Sequence, residues 1–154
     1  MKLYLMQHAL AYPSDEDPER PLNPEGISQA KATAKGIKRL GLSFDLVIAS
    51  PERRAHQTAA LVAEAIRYPH SDILTTEAAL PGKEPQELLD LLQREPSDSR
   101  VLLVGHLPHL EKLARQLMQG GELLIENAGL SCLSLDSSPK ASLEFHLKAE
   151  HLTL

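Results

Sequence analysis

The sequence predicts an α/β protein: a single three-layer domain with a mostly parallel sheet, helices on both faces and antiparallel edge strands near the C-terminus. Three observations carry that expectation. Short apolar runs alternate with segments of helical periodicity as far as Leu117, the pattern that builds a parallel sheet joined by right-handed crossovers. Beyond Gly120-Gly121 the pattern changes to short alternating stretches of antiparallel character. The length of 154 residues fits one domain, and without an internal repeat or dividing linker residues 1–154 are read as one unit.

The first apolar run, Lys2 to Met6, is read as a buried strand ending at Gln7-His8-Ala9. A polar loop follows from Tyr12 to Pro24, with four prolines and the acidic cluster Asp15-Glu16-Asp17. Asn23 offers an N-cap and Pro24 a first helical position, and Ile27, Ala30, Ala34 and Ile37 form the expected inward face up to Gly41. Phe44 to Ala49 is a second buried strand. Ser50 is expected to cap, and Pro51 to start, a helix facing inward through Ala55, Thr58, Ala59, Val62, Ala65 and Ile66. Asp72 to Thr75 is a weaker strand, and Glu84 to Arg94 a helix carried by Leu88, Leu89, Leu91 and Leu92. The fourth strand is Arg100 to Val104, followed by Gly105-His106-Leu107 and a helix bearing Leu110, Leu113, Ala114 and Leu117. Leu130 to Leu135 and Ser142 to Leu147 are edge strands, with a turn at Asp136 to Lys140.

Composition narrows the function. Hydrophobic residues are 42% and charged residues 24%, as in globular domains, while aromatics are 3% with no Trp, so Leu, Ile, Val and Ala must form the core. Against 21 acidic side chains stand 16 Lys and Arg, a formal net charge of −5 with no dense basic run. This argues against nucleic-acid binding, which draws on clustered positive charge. Cys132 is the only cysteine, so neither an intramolecular disulfide nor a multi-cysteine metal site is available. The apolar run Met1 to Met6 is too short for a signal peptide, and no later segment approaches a membrane-spanning run. A cytoplasmic protein without membrane association is expected.

In open α/β sheets, ligands bind beyond the carboxyl ends of the strands, where helix N-termini and strand-end loops converge. Three stretches pass that filter: Gln7-His8 after the first strand, Ser50 to Arg54 after the second and His106 after the fourth. Two histidines with an arginine point toward an anion, because the guanidinium fork and helix N-termini both favour phosphate. Helical phase separates the two arginines. Arg54 aligns with Thr58, Leu61 and Ala65 at the margin of the buried face, whereas Arg53 lies on the polar side with Gln57, Ala60 and Glu64. Arg54 is therefore the phosphate ligand and Arg53 a surface charge. His56, His70, His109, His146 and His151 are read as having no functional part. His106 and His109 lack the accompanying Cys or carboxylate ligands of a metal site, so no metal or other cofactor is expected.

Taken together, these stretches resemble the histidine phosphatase superfamily, and within it the small SixA-like phosphohistidine phosphatases. Leu5-Met6-Gln7-His8-Ala9 stands for the family's Arg-His-Gly motif, and Arg20-Pro21-Leu22-Asn23-Pro24-Glu25-Gly26 for its Arg-Pro-Leu-Thr stretch. Ser50-Pro51-Glu52-Arg53-Arg54-Ala55-His56-Gln57-Thr58 matches its Ser-Pro-x-x-Arg-Ala-x-Gln-Thr motif, the most specific of the four, and Val104-Gly105-His106-Leu107-Pro108 its second-histidine motif. The resemblance implies a phosphoglycerate mutase-like fold and a metal-independent hydrolase in which His8 attacks phosphorus, is transiently phosphorylated, and is released by water. Arg54 and His106 complete the implied catalytic set, and Gln7 and Arg20 bind substrate.

The sequence departs from the family at Gln7, where Arg is usual, and at Ala9, where Gly is usual. A Gln amide donates a hydrogen bond but lacks the charge and the second donor. Glu77 and Glu84 fall where larger family members carry their general acid, but the stretch Ala78 to Pro85 does not choose between them. A phosphoramidate eases that gap, since imidazole leaves more readily than an alkoxide. The reading is a phosphatase acting on a phosphohistidine-bearing protein, with phosphate or another oxyanion in the site. A small-molecule phosphomonoesterase of the same superfamily and a non-catalytic phosphate- or phosphoprotein-binding module are the alternatives.

Overall fold

The first strand of the chain lies inside the sheet, not at its edge. In the computed structural model, which describes residues 1–121, 123–135 and 141–148, six strands pair in the order β3-β2-β4-β1-β5-β6. They are β1 (Lys2–Gln7), β2 (Leu46–Ala49), β3 (Leu74–Thr75), β4 (Arg100–Gly105), β5 (Leu130–Ser134) and β6 (Ser142–Leu147). The first four run parallel, and β5 and β6 are antiparallel to their neighbours. This is the expected mixed sheet. Helices α1 (Pro24–Arg39), α2 (Arg53–Ile66), α3 (Gln86–Gln93) and α4 (His109–Leu117) complete a single α/β domain.

Period-two alternation divides the core between the two faces of the sheet. Tyr4, Met6, Val47, Ala49, Leu102 and Val104 face α1 and α2, while Leu3, Leu5, Ile48, Val101 and Leu103 face α3 and α4. Parallel strands buried on both faces must be apolar at every position, which is why β1, β2 and β4 read as continuous runs. Each fully buried Leu of these strands contributes on the order of 1.5–3 kcal/mol relative to exposure.

Several local expectations are corrected. Asn23 caps α1, accepting from the Gly26 N–H at 2.7 Å, but Ile27 is exposed, and Gly26, Thr33 and Gly36 share the buried face with Ala30, Ala34 and Ile37. The cause is close packing at Gly26, where a Cβ would stand 1.8 Å from the Leu10 carbonyl oxygen; the helix turns its smallest residues to that loop. Helix α2 begins at Arg53, not Pro51, behind an N-cap residue Glu52 that makes no side-chain cap bond, while Ser50 Oγ accepts from the Glu52 N–H at 3.2 Å and pairs with His106. Ala65 and Ile66 are half-buried, and Ala63 fills the core instead. The Asp72 to Thr75 strand shrinks to Leu74–Thr75, with His70–Asp72 in a 3-10 turn. Tyr68 explains this: its hydroxyl accepts from the Val47 N–H and donates to the Asp72 carbonyl, taking the edge position a longer β3 would need. The expected turn at Asp136 to Lys140 and His151 lie outside the described residues. No helix among the described residues is long and apolar enough to cross a membrane.

Candidate active site

The carboxyl ends of β1, β2 and β4 open onto a cavity of about 330 Å³ lined by Gln7, His8, Arg20, Arg54, His106 and Asn127, with Leu107 and Pro81 on its wall. All five residues singled out from the sequence therefore meet at one place. A larger cavity, about 540 Å³, lies among Met1, Leu89, Leu92 and Leu117 at the opposite end of the sheet and holds none of them.

His8 is held from four sides. Its backbone N–H donates to the Gly105 carbonyl at 3.0 Å, and its own carbonyl accepts from Asn127 Nδ2 at 2.9 Å. The next residue, Ala9, donates its N–H to Thr58 Oγ1 at 3.0 Å, and Thr58 Oγ1 donates to the Arg54 carbonyl at 2.8 Å. The ring Nδ1 lies 2.7 Å from the Ala9 carbonyl oxygen. A carbonyl only accepts, so Nδ1 carries the proton and the lone pair is on Nε2. Burial, reinforced by the Arg54 and Arg20 cations and opposed by the Ala9 bond, lowers the His8 pKa to about 4. The imidazole is neutral at physiological pH.

His106 leaves β4 through Gly105 and is almost fully buried, with its ring centroid 5.3 Å from that of His8. Its Nε2 is 2.8 Å from Ser50 Oγ, while its buried Nδ1 has no partner in the protein. Burial first, then Arg54, His8, His109 and Arg20, push its pKa down to about 3. With Ser50 donating to Nε2, the Nδ1–H becomes a free donor beside the cavity.

Arg54 lies in the first turn of α2. One guanidinium nitrogen is 3.5 Å from Glu52 Oε2, and its Nε is buried without a partner. Burial and the neighbouring Arg20 lower its pKa, but a guanidinium keeps its charge in proteins. Arg20 reaches the cavity from the long loop with a left-handed φ of 47°, its Nε donating to the Tyr12 carbonyl at 2.9 Å. Gln57 Oε1 accepts from the Leu22 N–H at 2.8 Å and ties that loop to α2. Arg53 points outward to Glu19 at 2.7 Å, half-exposed, as the helical phase requires.

Two residues do more than the sequence assigns them. Ser50, expected as a cap at the head of the Ser50 to Arg54 stretch, accepts from the Glu52 N–H and is also fully buried against His106. Asn127 belongs to no motif and arrives from the segment before β5, bridged to Gln7; nothing local in the sequence marks it. Glu77 and Glu84 are exposed and outside the cavity, with Glu84 3.6 Å from Lys112. Among the described residues no carboxylate lines the cavity.

A mixed α/β sheet that gathers two histidines and two arginines around one cavity at its strand ends has the phosphoglycerate mutase-like fold. The sequence profile of the histidine phosphatase superfamily (branch 1) matches residues 3–77. An uncharacterized protein of Picosynechococcus sp. (strain ATCC 27264 / PCC 7002 / PR-6) is 32% identical over 138 residues, covering 84% of this chain and 82% of that one. The chain belongs to the histidine phosphatase superfamily. Its fold is SixA-like: it superposes on the protein histidine phosphatase SixA complexed with tungstate with a TM-score of 0.89 at 23% identity, covering 99% of each chain. A phosphoserine phosphatase mutant of Entamoeba histolytica in complex with phosphoserine matches with a TM-score of 0.75 at 18% identity over 98% of each chain.

Proposed function

We propose that this protein is a metal-independent phosphatase that removes the phosphoryl group from a protein phosphohistidine through a His8 phosphoenzyme, acting in the cytoplasm as one domain of residues 1–154. The observation that carries the reading is the pairing of a neutral His8, its proton on Nδ1, with two buried donors that have no protein partner, Arg54 Nε and His106 Nδ1. Buried donors without partners cost free energy unless a ligand satisfies them, and both of these side chains line the cavity where an oxyanion would sit.

In the reaction, His8 Nε2 attacks phosphorus in line, forming an N–P bond as the bond to the substrate imidazole breaks. Arg54, Arg20, His106 and the Gln7 amide hold the oxygens as charge shifts among them, which is most of what phosphoryl transfer asks of a protein. A phosphoimidazole protonated on its other nitrogen leaves as neutral imidazole, so the first step needs no carboxylic acid. An alkoxide does need one, and no carboxylate lines the cavity among the described residues. Water then attacks the phosphorylated His8, returning phosphate and the free imidazole. A protein docking over the open rim supplies the binding energy that a small ester lacks there.

A small-molecule phosphomonoesterase is the second reading, favoured by a cavity of about 330 Å³ that is large enough for a compact phosphorylated metabolite. A non-catalytic binding module is the third, favoured by the uncharged Gln7. Mass spectrometry after incubation with a phosphohistidine donor, with parallel kinetics on a phosphohistidine domain, a sugar phosphate and a phosphoserine peptide, separates them. A phosphoryl adduct on His8, lost with turnover in His8→Ala, is expected, with the phosphohistidine domain turned over most efficiently. Preference for the sugar phosphate selects the second reading, and no adduct and no turnover the third.

A further inference from the structure

The α1–α2 face carries a trough that the chemistry at the strand ends does not use. One part, about 390 Å³, is lined by Lys31, Ala34, Lys35, Lys38, Leu61, Glu64 and Ala65; a second, about 280 Å³, continues from Lys38 and Ala65 to Leu42, Ile66 and Arg67. Its floor is apolar and partly buried against the core. Four exposed cations line it against one carboxylate, Glu64, on a molecule whose net charge is −5.

The bland explanation covers only half of that charge. Lys38 occupies the last turn of α1 and Arg67 the C-cap of α2, where cations offset the negative end of the helix dipole. Lys31 and Lys35 sit in the middle of the helix, where the dipole offers them nothing. Along one stripe Lys31 precedes Lys35 by four residues, and Lys35 precedes Arg39 by four. Like charges at that spacing destabilise a helix by about 0.2–0.5 kcal/mol per pair. No described ion pair relieves Lys31, Lys35 or Lys38. The stripe thus works against the isolated fold, and what it suits is a partner.

We infer that the α1–α2 trough docks an acidic amphipathic helix of a partner protein, its carboxylates at i, i+4 and i+7 meeting Lys31, Lys35 and Lys38 and its apolar stripe covering Ala34, Leu61 and Ala65. Seven residues of α1 separate Lys31 from Lys38, about 10 Å or two helical turns, so a partner helix of a little over two turns meets all three lysines. Lipid is the poorer fit, because the apolar groups are recessed below the lysines instead of protruding as a membrane-inserting face requires. No aromatic side chain lines the trough for stacking on nucleic acid bases.

The test titrates the ¹⁵N-labelled full chain with a synthetic amphipathic peptide bearing Glu at i, i+4 and i+7 and Leu on the adjoining face. Shift changes confined to residues 31–42 and 61–67 are expected, with affinity falling at least tenfold in Lys31→Glu/Lys35→Glu and recovering with a Lys-for-Glu peptide. The milder Lys35→Gln variant, checked by circular dichroism, guards against misfolding and should weaken binding several-fold. Shifts elsewhere, indifference to all substitutions, stronger binding to phosphatidylserine vesicles than to the peptide, or self-association through this face would each overturn the inference. It stands apart from the phosphatase reading, since binding here is measured without turnover.

Discussion

A single hydrogen bond decides the chemical character of the nucleophile. Because the Ala9 carbonyl fixes the Nδ1 proton of His8, the attacking nitrogen needs no base to free it. It is lost only when the ring takes a second proton, and that happens near pH 4, not 6.5. The acid limb of kcat/KM for the free enzyme is thus expected close to pH 4, read from a pH–rate profile on a substrate whose own ionisation is known; a limb at pH 6.5 would mean the ring is not held as described. Gln7 is the other residue to test. Replacing it with Arg adds a charge and a second donor beside the cavity, so vanadate or tungstate affinity should rise about tenfold, the margin between neutral and charge-assisted hydrogen bonds. Calorimetry that finds weaker binding in the folded variant would show a pocket rebuilt around the amide. His8, Arg54 and His106 were legible in the sequence because each follows a strand or opens a helix, a place the local pattern reveals. Ser50 was legible as a member of a strand-end stretch but not as the partner of His106, and Asn127 not at all, because their partners lie 56 and 119 residues away in the chain.

Among the elements, α2 organises the site. Arg54 faces the cavity from its first turn, Gln57 fastens the loop bearing Arg20, and Thr58 fastens the peptide after His8. The motif read from the sequence is thus one ligand and two latches on consecutive turns, and its spacing is that of a helix face. Beside it on the same face of the sheet, α1 presses Gly26 onto the Leu10 backbone. Gly26→Ala is expected to destabilise the protein by about 1–3 kcal/mol, the usual cost of overpacking, because the obstacle is a backbone oxygen and not a movable side chain. Denaturant unfolding measures the loss, and an unchanged midpoint would contradict the packing. Periodicity identified every one of these elements but not their ends. Ile27 was placed inward because hydrophobicity counts for more than size in such a pattern, whereas close helix–loop contact selects Gly and Ala. Likewise β3 was overextended because nothing in its own residues announces Tyr68 at the edge of β2.

At the scale of the molecule, buried histidines couple stability to pH. His8 and His106 titrate near 4 and 3 when folded and near 6.5 when unfolded. The unfolded chain therefore binds more protons between those limits, and stability, complete above about pH 6.5, is lost as pH falls toward 4 and 3. Chemical denaturation between pH 8 and pH 4 should show a flat midpoint, then a decline. A ligand acts the other way: an oxyanion at 100 times its Kd adds about 2.7 kcal/mol, so phosphate or tungstate should raise the thermal midpoint, an effect expected to vanish in His8→Ala/Arg54→Ala. Activity itself is expected to survive chelators, since Arg54, Arg20 and His106 already line the cavity. Loss of activity on chelation, restored by one metal ion per chain, would overturn that mechanism.

The placement of β1 between β4 and β5 has a consequence in the order of events during biosynthesis. His8 is made well before its neighbours in the sheet, since the strand that carries it pairs with residues 100–105 and 130–134. At ribosomal rates of about 5–20 residues per second, the nucleophile waits on the order of ten seconds for its flanking strands, and Asn127 comes almost as late. A nascent chain stalled before β5 holds the nucleophile, the Ser50–Thr58 motif and His106 but lacks one side of their frame. The competence to bind an oxyanion should therefore switch on late and all at once, and a ribosome-bound chain series probed with tungstate would show it as a step, not a slope.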